Sequence, residues 1–431
     1  MIRSVAIVMR GTVLAQGVGL LILPVLTRHF SPASFGQFQV FQSLLGLGLV
    51  AATMRYEIAI LRAETSHELG ALLMLCASIN VLLAFVMLVG QFVYERLTGA
   101  DFLATFGFPF FLIVAAFVFG GLIQYLGYFL VREKLFGQGS NSKVVQALAN
   151  GGTALTLALT RPVVTGIVLA DIAGRIGGAL AMIALSYHRM RETVSRPSRA
   201  DIFRTLTKYR EYPLIAVPGG LVNMAGAMLT PIMIYKTFDA ATSGQFGLLE
   251  RSATLPIGLI AASVSQVYMA QLAGDLRAGG HAAVHRFNRL VGLLAMLAIP
   301  PAIIIALFAP WLFAFAFGPG WDQAAGFARL MMPAYSLSLV SGAVNMTLIV
   351  VGWQKMQLAW EIARLVTMTG LWVGGAQLGW SVGTMVAGHS AILTFFAAVT
   401  VGLSAWAVRI SEGRVVALAT SAEEAAMGSV A

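Results

Sequence analysis

Long apolar runs separated by short polar breaks divide this chain from end to end. Taken at roughly the 20 apolar residues that a bilayer core requires, they predict about twelve transmembrane helices. The first six are expected at about 4–27, 36–61, 67–94, 106–131, 143–160 and 163–187. The second six are expected at about 213–237, 244–272, 290–317, 327–351, 356–378 and 380–409. The fold class is therefore an all-α polytopic membrane protein. Only Gly379 marks the split between the last two runs. The first run is long for a secretory leader and no soluble domain follows it, so it is expected to be retained.

The chain also repeats itself. FDAATSGQF (Phe238–Phe246) echoes FSPASFGQF (Phe30–Phe38) at an offset of 208 residues, with Phe, Ala, Gly, Gln and Phe in register. Each copy follows an apolar run with a late proline, Pro24 and Pro231, and precedes another apolar run. An echo near half the chain length points to duplicated lobes. The expected organisation is an N-terminal six-helix lobe at 1–190, a cytoplasmic basic linker at 191–211 and a C-terminal six-helix lobe at 212–413. A disordered cytoplasmic tail, rich in Ala, Ser and Glu, is expected at 414–431. Helix-bending residues gather at Pro213, Pro218 and Pro231, and at Pro300, Pro301 and Pro310.

Composition agrees with the pattern. Hydrophobic residues are 58% of the chain and charged residues 11%, against roughly 25% charged in soluble domains. A mean hydropathy of +0.83 leaves no room for a large soluble domain. The net charge of +10 suits anionic lipids or an anionic substrate rather than nucleic acid. Basic residues in the loops split 18 to 5 in favour of the N-terminal side, the minority being Arg28, Arg96, Arg161, Lys236 and Arg329. That places both termini in the cytoplasm. In the linker, Ser198-Arg199-Ala200-Asp201 carries a capping-box pattern. It would start a short amphipathic helix suited to an anionic inner leaflet.

Enzyme signals are weak. Gly137–Lys143 (GQGSNSK) has the length of a phosphate loop, but Ser142 replaces the glycine that must precede the lysine. His281 and His285 are spaced i, i+4 in a loop without further ligands, and the single cysteine, Cys76, sits in an apolar run. No metal or cofactor is expected, and no outside loop is long enough for a catalytic domain.

What remains is a set of charges inside the membrane, each costing ~2.5–3.5 kcal/mol at a helix centre unless it finds a partner or water. They are Arg10, Arg55, Glu57, Asp171, Arg175, Glu250, Arg251, Glu361 and Arg364. Asp171/Arg175 and Glu361/Arg364 have helical spacings that allow each pair to neutralise itself. Arg55 and Glu57, two apart on an expected helix, face different ways and each needs a partner elsewhere; so do Glu250 and Arg251. A guanidinium fork suits phosphate oxygens in a water-excluded setting. Arg10, Arg55, Arg251 and Arg364 thus read as a cationic path for a phosphate-bearing substrate. The acids and Arg175 read as charge partners or an ion-coupling set, for an H+ or Na+ gradient that the sequence does not specify.

Three stretches resemble a known family, the Wzx-type polysaccharide and O-antigen flippases of the multidrug/oligosaccharidyl-lipid/polysaccharide exporter superfamily. They are LPVLTRHFSPASFGQF with MRYEIAILRAE (Met54–Glu64), LVREKLF with SKVVQAL (Ser142–Leu148), and YREYPLIAVPGGLVN running on to SQVY. GPGWDQAA (Gly318–Ala325) adds to the likeness. The resemblance implies two six-helix lobes around a central cavity and rocker-switch alternation. It also implies movement of an undecaprenyl-pyrophosphate-linked oligosaccharide from the inner to the outer leaflet of the bacterial inner membrane. Polysaccharide polymerase machinery would be a partner. Two alternatives stay open: a drug or cation exporter of the same superfamily, and a membrane polymerase or ligase of lipid-linked sugars.

Overall fold

The computed structural model describes residues 2–160, 162–277, 283–351 and 353–428; Arg161, His281 and the chain past Gly428 lie outside them. The described chain is helical throughout. Its first half contains α1 (Ile2–His29), α2 (Pro32–Ala51), α3 (Ser66–Thr98), α4 (Phe110–Arg132), α5 (Phe136–Thr160), α6 (Val164–Thr193) and α7 (Arg199–Lys208). Its second half contains α8 (Val217–Thr237), α9 (Ala240–Arg277), α10 (Ala283–Phe317), α11 (Asp322–Val344), α12 (Thr347–Val350), α13 (Gln354–Gln377) and α14 (Val382–Gly428).

Among the described residues, eight helices are long and apolar enough to cross a membrane, or ten when two bent pairs each count as one span. The protein is thus a multi-pass membrane protein. The other two expected runs correspond to α5 and α13, which have 25 and 24 residues but carry more polar side chains. One bent pair joins α2 to a 3-10 helix, Tyr56–Arg62, at 51°. The other joins Tyr212–Gly226 to Met228–Thr237 at 49°, and a π-helical turn at Tyr212–Ala216 starts it. Gly379 does end a helix: its φ of 68° is left-handed, and Trp380 N–H returns to Gly375 O at 2.9 Å.

One expectation changes. The phosphate-loop look-alike, Gly137–Lys143, is the first two turns of α5. Its small residues serve close packing, since a Cβ on Gly11 of α1 would lie 2.2 Å from Ser140 Oγ. The backbone of α14 continues through Gly428.

Packing divides the chain into two compact units. One holds Met1–Gly247 with Ala316–Trp321, the other Leu248–Phe315 with Asp322–Ala431. The boundary between these units falls inside α9, and α8 packs against α2. In the first unit α5 lies between α1 and α6, and α4 packs on α3 and α6. Its core includes Tyr56, Ile60, Leu72, Cys76, Phe129 and Tyr209.

The echoed segments meet within this unit. A Cβ on Gly36 would lie 1.8 Å from Ala240 O, and a Cβ on Gly244 would lie 1.8 Å from Pro32 O. The two contacts are related by the same offset of 208 residues that relates the sequences. Their neighbours repeat as well. Gln37 packs against Gly107, and Gln245 donates to Gly320 O at 2.6 Å; both glycines have left-handed φ, 78° and 88°.

The expected capping box starts α7. Asp201 N–H donates to Ser198 Oγ at 3.1 Å, and Ser198 N–H donates to Asp201 Oδ2 at 2.9 Å. The Ser198 hydroxyl also donates to Asp201 Oδ2 at 2.7 Å, and that bond, with the Ser198 N–H, holds the Asp201 carboxyl below the usual carboxylate range. The helix is docked on the start of α3, where Glu68 accepts from Lys208 Nζ at 2.6 Å and from Tyr209 OH at 3.1 Å. Its exposed residues include Phe203, at 70%, with Arg199 and Arg204.

In the second unit, α11 and α13 pack on α14. Tyr268, Leu272, Phe287, Val344 and Val408 form a core there. Much of α10 keeps large apolar side chains exposed, Met296, Leu307 and Trp311 among them, as a helix bathed in hydrocarbon requires.

Candidate functional site

The break after α2 builds a polar cluster in the first unit. Helical hydrogen bonding stops at Ala51, and Met54 and Arg55 take left-handed φ values of 49° and 62°. Neither is glycine, so each costs of order 1–2 kcal/mol. Burial of the adjoining 3-10 turn offsets that cost. Tyr56 is buried and donates its hydroxyl to Leu206 O at 3.3 Å, and Ile60 is buried beside it.

The turn also corrects an expectation. On a straight helix Arg55 and Glu57 would point apart, but here Arg55 Nη1 lies 3.7 Å from Glu57 Oε1. Glu57 is fully buried and has the further partners that burial demands. Thr53 donates its hydroxyl to Oε2, and Gln124 of α4 donates Nε2 to Oε1 at 2.8 Å. The carboxylate is therefore held mainly by neutral donors. Its approach to Arg55 is longer than the ~2.7–2.9 Å of a charge-assisted hydrogen bond.

Arg55 is the under-used partner. A guanidinium has five N–H donors, yet its buried Nε has no hydrogen-bond partner among the described residues. Its side chain is 22% exposed. Gly220 of α8 makes room for it, since a Cβ there would lie 2.5 Å from Arg55 Nη2. The arrangement offers a positive fork with donors to spare.

A second cluster lies farther along α4. Arg175 Nε donates to Asp171 Oδ2 at 2.6 Å, the expected i, i+4 pair. Gln42 of α2 closes the group, donating Nε2 to Asp171 Oδ1 at 3.0 Å and accepting from Arg175 Nη2 at 3.4 Å. Gly120 lies under Arg175, four residues before the Gln124 that holds Glu57. The two clusters are thus about one turn, or ~6 Å, apart along α4.

The remaining candidates are dispersed. Arg10 is exposed on α1. Its neighbour Thr12 accepts from Lys143 Nζ of α5 at 3.0 Å. Glu250 and Arg251 are adjacent and half-buried on α9. Glu361 and Arg364 form the expected i, i+3 ion pair on α13. Sequence reading missed Thr53, Gln42, Gln124 and Gly220. The first three are neutral polar residues inside apolar runs, and such residues need partners as the charges do.

A family model described as "Polysaccharide biosynthesis protein" matches residues 25–326, well over half of the chain. The chain belongs to that polysaccharide biosynthesis protein family. The sequence resemblance noted above agrees with it. Comparison with curated proteins finds no match. Solved structures show the fold of the family member. It is similar to the lipid II flippase MurJ in an inward closed conformation, with a TM-score of 0.71 at 12% identity over 96% of this chain and 90% of that one. It is similar to an inward-facing multidrug resistance MATE family transporter of the MOP superfamily, with a TM-score of 0.65 at 15% identity over 94% and 96%. A MOP superfamily transporter from Pyrococcus furiosus is similar at 0.56 and 13% identity over 95% and 96%. The family member therefore has the fold that these structures share.

Proposed function

We propose that this protein is a flippase for an undecaprenyl-pyrophosphate-linked oligosaccharide in polysaccharide export. It would move the carrier from the inner to the outer leaflet of the bacterial inner membrane by alternating access, with both termini cytoplasmic. Family membership supports the pathway class. The observation that carries the substrate class is Arg55: a membrane-embedded guanidinium whose nearby carboxylate is already satisfied by neutral donors. Pyrophosphate oxygens would complete its coordination, and charge-assisted bonds of this kind are about twice as strong as neutral ones. Arg10, Arg251 and Arg364 extend the cationic path in this reading, and Arg364 already pairs with Glu361. Glu250 and the Asp171 pair belong to charge balance or ion coupling. The outward arginines of α7 would rest on anionic lipid.

The test is transport of a labelled lipid-linked oligosaccharide by inside-out vesicles. Arg55→Ala should abolish it at normal abundance. Arg55→Lys should restore part, keeping the charge and losing the fork. Wild-type transport by Arg55→Ala would remove Arg55 from the substrate path. Reporter fusions at Arg199 and Arg286 should read cytoplasmic, and fusions at Thr98 and Asp239 should read outside; the reverse would overturn the orientation.

A further inference from the structure

The end of α9 and the start of α10 form a seam in the second unit that the transport reading does not use. Two adjoining hollows of about 300 and 410 Å³ lie along it and share Gln271, Arg286 and Leu290 as walls. On α9 the lining residues Val264, Val267 and Gln271 recur at i, i+3 and i+7. On α10 Arg286, Arg289 and Leu293 recur with the same spacing. Each set is one face of its helix, so the hollows are a single groove running along both. From Gln271 to Ser263 it extends about 12 Å at 1.5 Å per residue.

The groove is polar at one end only. His285, Arg286 and Arg289 surround its mouth. Arg286 Nε lies 3.1 Å from Asp275 Oδ2, so that charge is balanced. Arg289 is exposed and makes no ion pair among the described residues, which leaves it the excess cation. Away from the mouth the walls turn apolar. Val267 is 59% exposed and Leu293 64%, while Leu290 packs against the core and forms the floor.

We propose that this seam is a binding site for an anionic phospholipid, with its phosphate at Arg289 and His285 and an acyl chain along Val264, Val267 and Leu293. Charge complementarity selects the headgroup, and the apolar track of about 12 Å selects a lipid over a soluble anion. A bare phosphate would leave the exposed valine and leucine uncovered. The choice of the cytoplasmic leaflet rests on the orientation proposed above. Binding in detergent does not, so the two can fail separately.

Purified full-length protein in neutral detergent should be titrated with dioleoyl phosphatidylglycerol, dioleoyl phosphatidylcholine and inorganic phosphate, each monitored by native mass spectrometry. Phosphatidylglycerol should be retained at least fivefold better than phosphatidylcholine. Arg289→Gln should weaken its retention about fivefold, the loss expected for one arginine beside anionic lipid at ~1 kcal/mol. Val267→Trp, which fills the track, should weaken it too, and Arg96→Gln, in the last turn of α3, should not. Wild-type retention by Arg289→Gln, or equal binding of both lipids, would overturn the site. So would displacement of phosphatidylglycerol by millimolar phosphate with Val267→Trp unaffected, since that is a soluble-anion site.

Discussion

Replacing Gly36 with alanine strikes the contact between the two echoed segments. The new Cβ would lie 1.8 Å from Ala240 O and 2.8 Å from Gly244 N. Both atoms are backbone, so no flexible side chain can swing away. Restoring ordinary contact requires a separation of about 1.5 Å. Overpacking of this kind costs typically ~1–3 kcal/mol. Gly244→Ala should cost the same, because its Cβ meets Pro32 O at the matching 1.8 Å. The double variant is the sharper test. Once the first Cβ has driven the segments apart, the second finds the space already open, so the two losses should fall short of additive by ~0.5 kcal/mol or more. Gly19→Ala is the control: nothing lies within 4 Å of its Cβ position. In a helix interior it should stabilise by roughly 0.5–1 kcal/mol. Thermal unfolding of the purified variants in one detergent reads all four. A Gly36→Ala protein as stable as wild type, or strictly additive losses, would refute the reciprocal contact.

Three further outcomes are expected. Gln124→Leu removes the 2.8 Å donor to buried Glu57 and should cost ~1–3 kcal/mol in the same melt; an unchanged melting temperature would mean that Thr53 and Arg55 suffice. Asp171→Ala should destabilise more than Asp171→Ala with Arg175→Leu, because the single change strands a buried guanidinium; lost transport by the double variant at normal abundance would assign the pair a direct role. The α7 cap should withstand mild acid. Since Ser198 holds the Asp201 carboxyl below its ordinary value, the stabilisation is full above the ordinary pKa of ~3.9. It is lost only as pH falls through the lower folded value. Hydrogen-exchange protection at the start of α7 should therefore match at pH 7 and pH 5, and loss of protection already at pH 5 would contradict the capping geometry.

What the sequence determined by itself is the part of the structure governed by short-range rules and by the bilayer. Hydrocarbon forces each span to be a long apolar helix with its backbone bonds internal, so the runs announced the helices. Helical spacing alone predicted the Asp171–Arg175 and Glu361–Arg364 pairs, and local hydrogen bonding predicted the Ser198–Asp201 cap. The echo at 208 residues marked where the chain repeats. Tertiary structure decided the rest, because it depends on what a second helix brings. The turn at Met54 and Arg55 carries no glycine or proline to announce it. Only the burial of Tyr56 and Glu57 against α3, α4 and α7 sustains two left-handed residues, and that turn brings Arg55 beside Glu57. Gln124, Gln42 and Gly220 matter through partners roughly 70, 130 and 165 residues away along the chain, a distance at which no local propensity acts. Gly137–Lys143 looked like a loop for the same reason: its glycines and serines disfavour an isolated helix, and it is a helix where α1 packs against it at Ser140.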